Sequence, residues 1–214
     1  MGLCVFDLDH TLVRTPLDLA AMAAEMRRRL EARCGPLPPR QERYRIGELL
    51  AHCRAHAPAL EADLWRLALE REHRAMEQAT LEAGALEAVA GTRAAGFRTA
   101  VWTNNAREVS LPALARLGLL EHLDLVVTRD DMRALKPDPD GWRVIAAHFG
   151  EVGVAVVVGD SWVDGVAAAA VGVPFVAYRP RPGEMDRFKV TPVAWTDDLA
   201  TLPAWLVTRW SGAP

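Results

Sequence analysis

The sequence predicts an α/β fold: a doubly wound, Rossmann-like parallel sheet with an α-helical domain inserted after its first strand. Three observations carry this. There are five short apolar runs rich in β-branched residues, helix-length segments alternate with the last four of them, and about ninety residues separate the first run from the second, where a crossover needs only a dozen or so.

The strands, in order, are LCVF at 3 to 6, FRTAVW at 97 to 102, LDLVV at 123 to 127, VAVVV at 154 to 158 and VPFVAY at 173 to 178. Each is compact and each is followed by turn or helix signals, as buried parallel strands require. The helical stripe Val109, Leu111, Leu114, Leu117 runs to a stop at Gly118, and the segments 141 to 149 and 163 to 171 end at Gly150 and Gly172. The tail from 196 opens with the helix-start signal TDD and continues LATLPAWLVTRW, which reads as a packing helix. The expected division is therefore a sheet domain of residues 1 to 14 and 81 to 214, and a helical insert of 15 to 80. Within the insert, CGPLPPR at 34 to 40 and Pro58 separate Ala-, Leu- and Arg-rich helices.

Charge sharpens the division. Residues 14 to 80 hold twelve basic and ten acidic side chains, so the acidic excess lies in the sheet domain. The net charge of -3 lacks the basic surplus that draws a protein to nucleic acid or an anionic membrane, and neither partner is expected. The N-terminus shows no basic leader, and no segment reaches the ~18 apolar residues of a membrane span. Three cysteines without CxxC spacing suggest neither a disulfide framework nor a thiolate zinc site, and a cytoplasmic location is expected. His52, Cys53 and His56 lie within one helical turn, but no fourth ligand accompanies them.

In open α/β sheets ligands bind beyond the carboxyl ends of the strands. Asp7 and Asp9 follow the first strand, Thr103, Asn104 and Asn105 the second, and Gly159, Asp160 and Asp164 the fourth, while Lys136 in ALKPDPD precedes the helix before it. Four carboxylates brought together there repel by about 4 kcal/mol per pair at 4 Å, taking an effective dielectric near 20. They need cations. Lys136 is one of only two lysines among 25 basic residues, which points to a compact ammonium in place of a forked guanidinium. A divalent metal on oxygen ligands supplies more charge, and Mg²⁺ suits carboxylates, waters and a substrate phosphate.

DLDHTL, VWTNN, ALKPDP and GDSWVD, in this order, resemble the four motifs of the haloacid dehalogenase superfamily, and the insert resembles that family's helical cap. The resemblance implies a Mg²⁺-dependent phosphatase acting on a small phosphorylated metabolite. Asp7 then corresponds to the nucleophile that forms an aspartyl-phosphate, and Asp9 to the general acid and base. Thr103 and the backbone of Asn104 bind a phosphoryl oxygen, and Lys136 offsets charge on nucleophile and phosphate. The metal falls to the Asp7 carboxylate, the Asp9 carbonyl and Asp160, with Asp164 acting through water or orienting Lys136. The dehalogenases typically lack the second acid, so Asp9 favours phosphate esters.

His10 stands where many relatives have Gly, and Arg14 where many have an acid. Arg14 at the edge of the insert and Arg45 within it are candidates to meet a substrate carboxylate or second phosphate, which puts phosphoglycolate-like acids among the first substrates to try. A phosphosugar mutase shares every motif and is the near alternative. A phospho-accepting signalling module, which lacks a cap and carries its Asp on a later strand, is the distant one.

Overall fold

The computed structural model describes residues 2–210. Chain contacts divide the molecule into two compact units, one of Met1–Thr15 with Ala79–Pro214 and one of Pro16–Gln78.

In chain order the elements are β1 (Gly2–Phe6), β2 (Val13–Arg14), α1 (Leu19–Cys34), α2 (Ile46–His56), α3 (Glu61–Glu77) and β3 (Thr80–Leu81). There follow α4 (Ala85–Ala94), β4 (Phe97–Trp102), α5 (Arg107–Arg116), β5 (Leu125–Val127), α6 (Asp140–Phe149), β6 (Val154–Gly159), α7 (Trp162–Ala170) and β7 (Phe175–Tyr178). The described chain closes with α8 (Glu184–Arg187), β8 (Ala194–Thr196) and α9 (Leu202–Trp210).

The sheet unit is built on six strands in the order β5-β4-β1-β6-β7-β8, every neighbouring pair parallel. Counting only these strands, the order is 3-2-1-4-5-6, and its direction reverses between β1 and β6, where doubly wound folds place their ligands. One face of the sheet buries Leu3, Val5, Ala100, Trp102, Val157 and Ala177 against Ile145 of α6 and Ala167 and Ala168 of α7. Alternation sends Cys4 and Phe6 to the other face, where both are fully buried. Complete burial of a side chain such as Phe6 is worth about 1.5–3 kcal/mol, and β1 is buried on both faces because it lies mid-sheet.

Register decides what meets at the strand ends. Phe6 pairs with Val101 on one side and Val158 on the other, and the Asp7 N–H extends the ladder to the Val158 carbonyl at 2.8 Å. Asp7 thus comes level with Trp102 and Gly159, and Thr103 and Asp160 follow one residue on.

The second unit is three helices. Asp18 caps α1 by accepting from the Ala21 N–H at 2.8 Å, and Met22, Ala23, Met26 and Leu30 form its buried stripe. The proline break between α1 and α2 is pinned by Arg40, which stacks on the Tyr44 ring at 3.8 Å and meets Glu48 at 2.6 Å. On α1, Arg27 pairs with Glu31 and Arg28 and Arg29 pair with Glu25, a solvent-facing ladder.

The sheet differs from expectation in three places. The third run starts pairing only at Leu125, because Asp124 turns its carboxylate to the Thr99 N–H, and the fifth starts at Phe175, after a proline that has no N–H to give. A sixth strand, β8, was not expected: Thr196, read as a helix start, pairs with Tyr178, and α9 begins six residues later after a short turn capped by Asp198. Short antiparallel β2 and β3 were not foreseen either.

Candidate active site

The centre of the site is a buried lysine. Lys136 Nζ lies 2.6 Å from Asp7 Oδ1, 2.6 Å from Asp164 Oδ1 and 2.6 Å from the Trp102 carbonyl, so its three N–H donors are all engaged. Its side chain is 3 % exposed. Burial alone would lower the ammonium's pKa, but the charges of Asp164 and Asp7 and their hydrogen bonds outweigh this and raise it, so Lys136 stays charged. The loop carrying Lys136 is tied to the end of β4 by Asn104, whose side chain accepts from the Lys136 N–H at 2.8 Å and donates to the Lys136 carbonyl at 3.1 Å.

Asp164 reaches this lysine from the first turn of α7. Ser161 caps the helix by accepting from the Val163 N–H, and the Ser161 N–H returns to Asp164 Oδ2 at 3.3 Å. The Asp164 carboxylate lies over Gly159, where a Cβ would come within 2.5 Å of Asp164 Oδ2. The backbone there admits no side chain.

Asp9 is held separately. Thr15 Oγ1 donates to its Oδ1 at 2.9 Å and Asn105 Nδ2 donates to its Oδ2. Burial raises its pKa, and these two donors pull the other way. Thr103, 1 % exposed, accepts the Asn105 N–H on its hydroxyl at 3.1 Å.

Asp7, Asp160 and Asp164 each present a ligand atom within 4.8 Å of the others. Burial pushes the carboxyl of Asp160 well up, the negative charges of Asp7, Asp164 and Asp9 add to this, and Lys136 opposes it. One ammonium faces four carboxyls. An all-oxygen carboxylate set with surplus negative charge is the donor chemistry of a hard divalent cation, and it fits Mg²⁺ better than a softer metal.

The structure therefore brings together Asp7, Asp9, Thr103, Asn104, Lys136, Asp160 and Asp164. Arg14 stands apart from that cluster: its Nε and Nη2 each lie 3.0 Å from the carboxylate of Glu82, which is itself buried and accepts from the Tyr178 hydroxyl at 3.3 Å. Arg45 belongs to the helical unit, at the start of α2, and pairs with Glu48 at 3.0 Å. Sequence reasoning missed Thr15, Glu82 and the Trp102 carbonyl, and set Asn105 at the ligand edge without giving it a role. Asn105 had a signal, its place at the end of β4, but nothing in the sequence names its partner.

The protein is thus of the α/β class, with acids, a lysine and a threonine gathered at the switch point of a parallel sheet. Residues 1–172 match the haloacid dehalogenase-like hydrolases, and the chain belongs to that family. Among curated relatives, a plasmid-borne phosphoglycolate phosphatase of Cupriavidus necator is 37% identical over 55% of this chain, which spans about half (52%) of that protein. A phosphoglycolate phosphatase of Cereibacter sphaeroides is 32% identical over 81% of this chain and 83% of its own length. These relatives are phosphatases, phosphoric monoester hydrolases. A hydrolase from Pseudomonas syringae has the same fold, with a TM-score of 0.71 at 22% identity over 97% of this chain and 99% of that one. Among the described residues no helix is long and apolar enough to cross a membrane.

Proposed function

We propose that this enzyme is a Mg²⁺-dependent phosphatase that hydrolyses a small phosphomonoester through an aspartyl-phosphate on Asp7. The observation that carries the reading is the pairing of Asp7 with buried Lys136 while Asp9, two residues on, is kept out of that pairing by its own donors. A carboxylate bound to a fixed cation is suited to attack, and one bound to neutral donors is suited to exchange a proton.

In the first step an Asp7 carboxylate oxygen attacks phosphorus, the bond from phosphorus to the leaving oxygen breaks, and that oxygen takes the proton of Asp9. In the second, water attacks phosphorus, gives its proton back to Asp9, and the bond from phosphorus to Asp7 breaks. Lys136 acts through charge, since its donors are already used. Thr103 accepts from Asn105, and its own O–H then serves a phosphoryl oxygen beside the Asn104 N–H. Asp7, Asp160 and the Asp9 carbonyl would hold Mg²⁺, with Asp164 acting through water or orienting Lys136, and the ion when bound would neutralise charge on the phosphoryl oxygens.

In this reading residues 1 to 14 and 81 to 214 form the catalytic core and 15 to 80 the cap. The names of the relatives support phosphoglycolate as the first substrate to try, with Arg14 and Arg45 as candidates to read its carboxylate, each after exchange of its present carboxylate partner. Three free cysteines, two of them buried, suit a cytoplasmic setting. A screen of phosphorylated metabolites for phosphate release, with Mg²⁺ and with chelator, tests the function. Interconversion of a sugar phosphate without phosphate release would instead identify a mutase. Acid quench of a turning-over reaction, with the phosphoryl group mapped to Asp7, tests the intermediate.

A further inference from the structure

The two asparagines of VWTNN are adjacent in sequence and do different work. Asn104 clamps the Lys136 backbone, whereas Asn105 turns to Asp9. We infer that Asn105 is a positioning residue for leaving-group protonation, its side-chain amide fixing the orientation of the Asp9 carboxyl.

Asn105 is built for such a task. It is 5 % exposed, its N–H donates to Thr103 Oγ1 at 3.1 Å, and its carbonyl accepts from the Arg129 N–H at 3.0 Å. Two anchored backbone groups leave the side chain little freedom of approach. In its ionised form Asp9 accepts only, and there the amide presents its NH₂ to Oδ2. With Thr15 on the other oxygen, the carboxyl plane of Asp9 is set at both ends. Rotation of that plane moves the proton away from the leaving oxygen, and a general acid must lie within hydrogen-bond reach of the atom it protonates. A misplacement of about 1 Å costs on the order of 10²-fold in rate.

The inference rests on the phosphatase reading and predicts something that reading does not. An alkyl phosphate expels a poor leaving group that needs the proton of Asp9, while p-nitrophenyl phosphate expels a phenolate that does not. Measured as kcat/KM, which stops at expulsion of the leaving group, Asn105→Ala loses about 10²-fold on phosphoglycolate, and its loss on p-nitrophenyl phosphate is about tenfold smaller or less. Asn105→Leu keeps a similar volume and removes the N–H donor without adding charge, shows the same split, and carries the test should the alanine variant fail to fold. Equal losses on the two esters, or none on the alkyl ester, overturn the inference and leave Asn105 a packing residue. The alkyl ester is phosphoglycolate or, failing it, the best alkyl phosphate of the screen, and absence of phosphate release by the wild type from every ester tried overturns the phosphatase reading itself.

Discussion

Asn104 and Lys136 grip one another by a reciprocal pair of hydrogen bonds, side-chain amide to backbone, across 32 residues of sequence. The clamp places the lysine backbone so that its ammonium reaches Asp7, Asp164 and the Trp102 carbonyl together. The lysine at the centre of the candidate site is thus held by a neutral side chain whose bonds go to its backbone.

Asn104→Ala is expected to lower kcat/KM by about tenfold or more while costing about 1–3 kcal/mol of stability, the range for stranding a buried backbone donor and acceptor. Steady-state kinetics with a urea melt measure both. Unchanged kinetics would show that the loop holds Lys136 without the clamp.

Gly159→Ala should be far more damaging to catalysis than its size suggests. The new methyl meets the Asp164 side chain at 2.5–2.7 Å on three atoms, and its carboxylate is held by Lys136 and Ser161. A loss on the order of 10²-fold in kcat/KM follows from displacement near 1 Å. A fully active Gly159→Ala enzyme would mean that Asp164 is free to shift without consequence.

The acid cluster predicts how a cation alters stability. The carboxyls of Asp160 and Asp9 have folded pKa values above the ordinary 3.8 because burial disfavours their charge. A raised carboxyl binds its proton more tightly in the fold. Metal-free stability is therefore greatest below pH 3.8, as far as these groups are concerned, and falls as pH rises towards the folded values. Mg²⁺ at about 100 times its Kd should return about 2.7 kcal/mol at neutral pH, seen as a rise in Tm. In Asp160→Asn that rise should shrink sharply, and an undiminished rise would place the ion elsewhere.

Glu82 behaves in the opposite sense. Burial would raise its pKa, but the hydrogen bonds and charge of Arg14, with the Tyr178 hydroxyl and Arg179, lower it below the ordinary 4.5. Its contribution is present above pH 4.5 and is lost as pH falls through the folded value. Glu82→Gln should melt about 2–4 °C below the wild type at pH 7, as a loss of about 1 kcal/mol in a chain of this size implies, and the gap should close in acid. A gap independent of pH would assign the effect to shape alone.

The strands and the residues at their carboxyl ends were legible because both are local: β-branched runs mark the first, and polar residues breaking those runs mark the second. What escaped was either too short or too distant. Strand β8 is three residues, Ala194–Thr196, and β2 and β3 are two each, below the length at which alternation signals anything. The hydrogen bond from Asn105 to Asp9 spans 96 residues, and that between Tyr178 and Glu82 also spans 96. No periodicity encodes such pairs. The first exists because the parallel register carries the ends of β1 and β4 to one edge, and the second because the ribbon brings Glu82 to the end of β7.

The ribbon of Val13–Arg14 on Thr80–Leu81 has a meaning beyond the reaction. The chain leaves the sheet unit after Thr15 and re-enters it at Ala79, and the antiparallel pairing holds exit and return side by side. Whatever is threaded between them begins and ends at one doorway, so its length and content place no demand on the register of the six strands. Such a chain has the architecture of a socket: the ribbon and the Arg14–Glu82 bond close the sheet unit at the two points where the segment Pro16–Gln78 leaves and returns.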